Sequence, residues 1–187
     1  MRKRPLCMVC LILLAIQLVR VSFLQNTKDQ KPSLAERLIS DEKDVYSLAK
    51  SLLEGRIEHH EEMYIVLLDQ ALKVLGVALV SKGGVCNTVV DLRIIFQYVI
   101  LSNASRIILV HNHPSGNLKP SLQDDKITKR VYQVASILGI ELTDHLIISE
   151  EGYYSYAIED RIDVMNPSRD DYSSPFLNQN EIVLPIH

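Results

Sequence analysis

Cysteine is scarce in this chain. Three cysteines occur, Cys7, Cys10 and Cys86, and two of them fall in one apolar stretch near the N-terminus. Cysteines so placed exclude both the paired framework of a small disulfide-rich protein and the four-cysteine clusters of structural zinc sites. Stability must therefore come from a hydrophobic core, and 187 residues with 47% hydrophobic content are enough to form one.

An excess of basic residues is also missing. The chain has 20 lysines and arginines against 23 aspartates and glutamates, which gives a formal net charge of -3. Strong nucleic-acid binders usually carry basic charge because they must neutralise phosphates. A role on DNA would therefore depend on a local basic patch.

No apolar run is long enough for a clear membrane span. The N-terminus reads MRKRP and then LCMVCLILLAIQLV, a charged region followed by an apolar one, as in a secretion signal. The run is shorter than the ~20 residues that a spanning helix needs. Gln17 and Arg20 interrupt it, and no small-x-small cleavage site follows. Three interpretations remain: a signal-like leader, a marginal membrane anchor through residues 6–19, and a start upstream of the true domain. We favour the last and expect a cytoplasmic protein, with membrane anchoring or export as the alternative.

The rest of the chain divides where its composition changes. Residues 1–33 comprise the apolar leader and a polar linker that contains two lysines and Pro32. Residues 34–60 are expected to form a short helical segment that ends at Gly55, and residues 61–160 a single domain. The polar, turn-rich residues 161–187 are expected to form a flexible tail.

Within the domain, apolar runs alternate with segments of helical periodicity, which predicts an α/β fold. Strands are expected at residues 63–68, 75–80, 107–110, 140–148 and 153–157, the fourth with a break near Asp144. One helix is expected to be capped by Thr88 and to run to about Ser102. A second is expected to open at Pro120 and Ser121 and to end at Gly139.

One strand-to-helix junction carries side chains that bind metals. The segment VHNHPSGNLKPSLQDD, beginning at Val110, places His111 and His113 at the end of a strand and Asp124 in the first turn of the next helix. Alternate residues of an extended strand point the same way, so both imidazoles can face one point, and the Pro-Ser-Gly turn can return Asp124 to it. Two histidines, one carboxylate and an open fourth position suit a zinc ion that activates water.

The same residues have a structural explanation. Ser121 and Asp124 form an S-x-x-D pattern, which is how many helices cap their own N-terminus. Ser121 could instead hydrogen-bond the oxyanion that forms when a carbonyl is attacked. The two explanations are compatible, because Ser121 can begin the helix and still face the histidines.

A hydrolytic metal site also needs a general base. Glu61 directly precedes the apolar strand at residues 63–68 and is our candidate, provided that this strand lies beside the histidine strand. The alternative is a solvated charged segment, since Glu62 is adjacent and His59 and His60 are expected to be exposed.

Two other zinc chemistries can be excluded from the sequence. Zinc deaminases need H-x-E together with P-C-x-x-C, and the cysteine pattern does not occur here. Amidohydrolases also use H-x-H, but on a barrel of typically ~250 residues, for which this chain is too short.

The pattern His111-x-His113, seven residues, Ser121, two residues and Asp124 matches the H-x-H-x(7)-S-x(2)-D motif of JAMM (MPN+) metalloproteases, so the chain resembles that family. Over about residues 61–157 it is also similar to RadC proteins, in the segments EEMYIVLLD, SKGG, TVVDLR, NASRIILVHNHPSGNLKPS and DHLIISEEGYYSY. The resemblance implies an α/β/α sandwich of JAB/MPN type, in which helices flank a mixed sheet, related to the deaminase-like fold.

The resemblance also implies a role for each candidate residue. His111, His113 and Asp124 would bind Zn²⁺, Ser121 would support the oxyanion, and Glu61, or Glu62 beside it, would be the general base. These roles favour a zinc-dependent metallopeptidase that hydrolyses a peptide or isopeptide bond of a protein or peptide partner.

The alternative is an accessory factor of DNA repair or of mobile elements that binds DNA or a DNA-bound partner and whose metal is structural. RadC proteins often carry an N-terminal helix-hairpin-helix region. We expect that module to be truncated or absent here, because the segment between the linker and Gly55 is short, and a role on DNA is correspondingly less favoured.

Overall fold

The computed structural model describes residues 37–83 and 90–162. Within them lie three helices, α1 (Glu42–Leu52), α2 (Leu92–Ser102) and α3 (Leu122–Ile137). The strands are β1 (Glu62–Leu68), β2 (Val74–Lys82), β3 (Arg106–Asn112), β4 (Glu141–Ile148) and β5 (Tyr153–Ser155). They form one sheet in the order β2-β1-β3-β4-β5.

The sheet is mixed. Strand β1 pairs antiparallel with both β2 and β3, β3 pairs parallel with β4, and β4 pairs antiparallel with β5. All seven residues of β1 are buried. A strand that is covered on both faces needs apolar side chains at nearly every position, which explains the continuous apolar run that predicted it.

Helices cover both faces of the sheet. Met63, Ile65 and Leu67 of β1 belong to one core cluster, which includes buried residues of α2 and α3. Tyr64, Val66 and Leu68 belong to a second cluster, which includes buried residues of α1. Because successive side chains of a strand point to opposite faces, these two clusters define an α/β/α sandwich and confirm the predicted fold class.

The predicted strands are all present, with small differences in extent. Strand β3 continues through His111 and Asn112 instead of ending before them. The expected break near Asp144 is a bulge inside a continuous strand, since Ile107 pairs with Leu142 and Ile108 with Asp144, which leaves Thr143 as the extra residue. The bulge explains why a polar residue interrupts the apolar pattern there.

The predicted start of α2 was wrong. Helix α2 begins at Leu92 and is capped by Asp91, whose carboxylate accepts a hydrogen bond from the backbone N–H of Arg93 at 2.9 Å. Thr88 lies outside the described residues. Aspartate caps helices at least as well as threonine, so the later of two possible caps is used. Helix α1 begins at Glu42, where Asp41 caps it, and ends at Leu52, shortly before the predicted end at Gly55.

The expectations for the leader, the linker and most of the tail concern residues 1–36 and 163–187, which lie outside the described residues. Among the residues that the structure describes, no helix is both long and apolar enough to cross a membrane.

Candidate metal centre

Four potential ligands meet at the carboxyl end of β3. His111 lies in β3, His113 follows it, Asp124 lies in the first turn of α3, and Glu61 immediately precedes β1. Each offers one ligand atom, and these four atoms all lie within 4.8 Å of one another. The structure therefore brings together residues that are up to 63 positions apart in the sequence.

The two imidazoles and the aspartate converge closely. The Nε2 atoms of His111 and His113 lie 2.8 Å apart, and Oδ1 of Asp124 lies 3.2 Å from Nε2 of His111. Three atoms with lone pairs at such distances repel one another unless a proton or a metal cation lies among them. Nitrogen and carboxylate donors of this kind suit Zn²⁺, so the residues fit the ion that the sequence predicted.

The side chains of the site perturb one another's protonation. Burial alone would raise the pKa of Asp124, but hydrogen bonds with His111 and His113 hold that pKa well below its usual range. Burial alone would lower the pKa of His113, but its hydrogen bonds with Asp124 and the Asn117 carbonyl raise it overall. Asp124 is therefore ionised at neutral pH, the state that metal binding requires.

Strand parity decides which glutamate faces this site. Met63 of β1 pairs with His111 of β3, so Glu61, two residues earlier, lies across from the turn that begins at His113. Because side chains alternate along a strand, Glu61 points to the same face as Met63 and both histidines, the face that α3 covers. Glu62, one residue later, points to the α1 side. Of the two glutamates, the cluster of potential ligands includes Glu61 alone.

Glu62 is occupied by structural contacts. Its carboxylate is 1% exposed and accepts a hydrogen bond from the Tyr64 hydroxyl at 2.6 Å. It also forms ion pairs with Lys82 at 3.0 Å and with Arg56 at 3.3 Å. Burial would raise the pKa of Glu62, but these partners lower it overall, while burial and then the bond to Glu62 raise the pKa of Tyr64 to about 12.

Asn112, between the two histidines, holds the segment that carries Glu61. Its Oδ1 accepts a hydrogen bond from the backbone N–H of Glu62 at 2.8 Å. Its Nδ2 donates to the carbonyls of Ile57 and His60, both at 2.7 Å. The side chain is fully buried. It therefore fixes the chain before β1 to the histidine strand, a role that the sequence analysis did not assign to it.

Ser121 is the N-cap of α3. Its Oγ accepts a hydrogen bond from the backbone N–H of Asp124 at 3.2 Å, and its own backbone N–H donates to Asp124 Oδ2 at 2.6 Å. The two bonds form a capping box. The predicted structural role of the S-x-x-D pattern is thus confirmed. The cap uses a lone pair of Oγ, which leaves the hydroxyl hydrogen for another acceptor.

A third histidine lies behind the site. His145 of β4 is fully buried, and its Nε2 lies 2.8 Å from Nδ1 of His111. The apolar pattern of β4 predicts a strand but does not by itself point to this histidine. A polar residue inside the run DHLII, in a strand that pairs in parallel with the histidine strand, was the available signal.

Comparisons with known proteins show what the chain is similar to. A family model described as a RadC-like JAB domain matches residues 39–161.

The chain is similar to a UPF0758 protein of Flavobacterium johnsoniae, with 36% identity over 145 residues that cover 78% of this chain and 62% of that protein. A UPF0758 protein of Porphyromonas gingivalis is 47% identical over 100 residues, 53% of this chain and 44% of that protein. One from Thermotoga maritima is 40% identical over 99 residues, 53% of this chain and 45% of that protein. The chain spans about half the length of the curated relatives it matches.

Proposed function

Because the chain belongs to the family of RadC-like JAB domains, we propose that it is a zinc-dependent hydrolase that cleaves a peptide or isopeptide bond in a protein or peptide partner. One observation carries the proposal: the ligand atoms of Glu61, His111, His113 and Asp124 all lie within 4.8 Å of one another. Three of them are the ligands that a catalytic zinc ion needs, and the fourth is a carboxylate suited to proton transfer.

His111, His113 and Asp124 would hold the metal. When bound, a zinc ion supplies Lewis acidity and makes water a strong nucleophile at neutral pH. His111 lies in β3 and Asp124 in the capped first turn of α3, so regular secondary structure fixes two of the three positions, and His113 directly follows β3. Because the pKa of His113 is raised, a metal ion held by this residue would compete with a proton for the same ring nitrogen.

Glu61 would be the general base. It is half-buried beside the histidines, whereas Glu62 is committed to Tyr64, Lys82 and Arg56 on the other side of the sheet. Glu61 takes a proton from the attacking water and passes it to the leaving amine. Ser121 donates its hydroxyl hydrogen to the carbonyl oxygen as negative charge develops there.

Metal analysis tests the first half of the proposal. Purified protein should contain about one zinc ion per chain, and Asp124→Ala should lose it. Asp125→Asn is the matched control, because the neighbouring Asp125 is not among the potential ligands and asparagine can still accept the hydrogen bond of the Tyr156 hydroxyl. Wild-type protein that remains metal-free after incubation with zinc would overturn the proposal.

Activity tests the second half. Glu61→Gln should keep zinc and lose cleavage of a peptide library, because the amide cannot accept a proton. Glu62→Gln should keep both zinc and cleavage. Cleavage that survives in Glu61→Gln would assign the base to another residue.

A further inference from the structure

A buried chain of hydrogen bonds leads away from the metal centre into the core. Nδ1 of His111 lies 2.8 Å from Nε2 of His145, and Nδ1 of His145 lies 2.6 Å from Oγ1 of Thr128. Thr128, in α3, also lies 2.6 Å from the backbone carbonyl oxygen of Asp124. All three side chains are 0% exposed. This series of hydrogen bonds therefore joins His111 and Asp124, two of the proposed ligands, through residues outside the H-x-H-x(7)-S-x(2)-D motif.

The positions of the hydrogens follow from the last contact. The carbonyl of Asp124 carries no hydrogen, so the Thr128 hydroxyl must donate to it. A hydroxyl has one hydrogen, so Oγ1 can only accept from His145. Nδ1 of His145 therefore carries a proton.

The position of the proton on His111 follows from that on His145. The ring of His145 is fully buried, and its two nitrogens contact a hydroxyl and another imidazole rather than a carboxylate, so the ring is neutral. With its proton on Nδ1, its Nε2 is an acceptor, so His111 must donate from Nδ1. In the neutral ring of His111, Nε2 then presents a lone pair to the metal centre.

The His145 ring is held in the orientation that this chain needs. It stacks on Tyr156, with ring centroids 4.9 Å apart and an angle of 16° between the planes. Tyr156 is itself 0% exposed, and its hydroxyl donates to Asp125 at 2.9 Å. Packing and hydrogen bonding thus oppose rotation of the imidazole.

His113 is arranged differently. Its Nδ1 is hydrogen-bonded to the backbone carbonyl of Asn117 in the turn that follows, so the main chain sets its tautomer. His111 lies inside β3, where its backbone is committed to the sheet, and depends on side chains from β4 and α3 instead. A substitution can therefore remove the support of His111 without affecting His113 directly.

We propose that Thr128 and His145 are positioning residues that fix His111 in the tautomer with its proton on Nδ1, and that they thereby set the affinity of the centre for zinc. The inference deepens the proposed function and rests on it. Outer partners of this kind orient a ligand and typically change metal affinity by about 10- to 100-fold.

Two variants of Thr128 separate the hydroxyl from the packing. Thr128→Ser keeps the hydroxyl, and Thr128→Val keeps the shape but removes it. Zinc affinity, measured in competition with a coloured zinc chelator, should stay close to wild type for Thr128→Ser. It should fall by about 10-fold or more for Thr128→Val, because His145 then loses the acceptor that fixes its proton. Equal affinity of the two variants would overturn the inference.

The tautomers can also be observed without metal and without any substitution. Long-range ¹H–¹⁵N NMR of the imidazoles in the metal-free wild-type protein, recorded at a pH where His111 is neutral, should show the proton on Nδ1 of both His111 and His145. A proton on Nε2 of His111 in the neutral ring would overturn the inference even if Thr128→Val fails to fold. Failure of the proposed function gives a different result: wild-type protein would bind no zinc, whatever tautomers the NMR spectrum shows.

Discussion

At the scale of single residues, Glu61 and Glu62 show how one step along a strand changes the role of a carboxylate. Glu62 is buried with two cationic partners and a phenol, and its pKa is lowered in the folded protein. We expect Glu62→Gln to lower the free energy of unfolding at pH 7 by about 1–3 kcal/mol, because a buried charge-assisted network is lost. Chemical denaturation measures this difference.

The pH dependence of that loss identifies its cause. A carboxyl group whose folded pKa lies below its usual 4.5 stabilises the fold above that pH, and its contribution disappears as the pH falls through the folded-state value. The difference between wild type and Glu62→Gln should therefore shrink as the pH falls below 4.5. A stability difference that does not change with pH would mean that shape, not charge, matters at Glu62.

At the scale of secondary-structure elements, Asn112 ties β3 to the segment before β1. We expect Asn112→Ala to destabilise the protein by roughly 2 kcal/mol or more, since it leaves the Glu62 N–H and the carbonyls of Ile57 and His60 without their partner. Hydrogen exchange should localise the effect, with faster exchange of the Glu62 amide.

Asn117→Ala provides the comparison. Asn117 is exposed, and its side chain accepts one hydrogen bond, from the backbone N–H of Lys119. A surface change of this type typically costs less than about 0.5 kcal/mol. Equal losses of stability in the two variants would mean that the buried hydrogen bonds of Asn112 stabilise the protein no more than the exposed one of Asn117.

The start of α3 combines a cap with a proposed catalytic group, and substitution can separate the two. Ser121→Ala should lose about 1 kcal/mol of stability together with activity, because both the cap and the hydroxyl disappear. Ser121→Asn should keep the stability, since asparagine caps as well as serine, yet still lower activity. Thermal unfolding and peptide cleavage, measured on the same samples, check the two effects. An active Ser121→Ala variant would contradict the oxyanion role.

The elements could be predicted where the sequence pattern is local. The apolar run of β1 and the S-x-x-D cap of α3 each depend on a few adjacent residues, and both are confirmed. The proximity of Glu61 to the histidines required strand β1 to lie beside β3, which a sequence can suggest but not measure. The alternation of side chains along β1 would have favoured Glu61 over Glu62, because Glu61 points to the same face of the strand as the apolar residues Met63 and Ile65.

The supporting contacts could not be predicted, because they depend on register between distant segments. His145 supports His111 because β4 pairs in parallel with β3, and the register of that pairing cannot be read from either strand alone. Asn112 resembles a spacer between two histidines, and its three partners lie 50 to 55 positions away in the sequence. The start of α2 was misplaced for a simpler reason, since Thr88 and Asp91 are both good caps.

At the scale of the whole molecule, the candidate metal centre links parts of the fold that are far apart in the chain. His111 lies in β3 and His113 directly follows it. Asp124 lies in the first turn of α3, the helix that connects β3 to β4. The unfolded chain does not hold these groups together, so an ion that binds them binds the folded state almost exclusively. Its binding free energy then adds to stability.

We therefore expect zinc to raise the thermal midpoint of the protein in proportion to the logarithm of its free concentration. At about 100 times the Kd the added stability is about 2.7 kcal/mol. A chelator should reverse the shift, and calorimetry with and without zinc measures it. Asp125→Asn should respond like wild type, whereas Asp124→Ala, which lacks the carboxylate nearest to His111, should show little response. An equal shift in Asp124→Ala would mean that the stabilising zinc ion binds outside the centre at the end of β3. Weak binding to the exposed His59 and His60 is one such case, because it would raise the thermal midpoint equally in Asp124→Ala and Asp125→Asn.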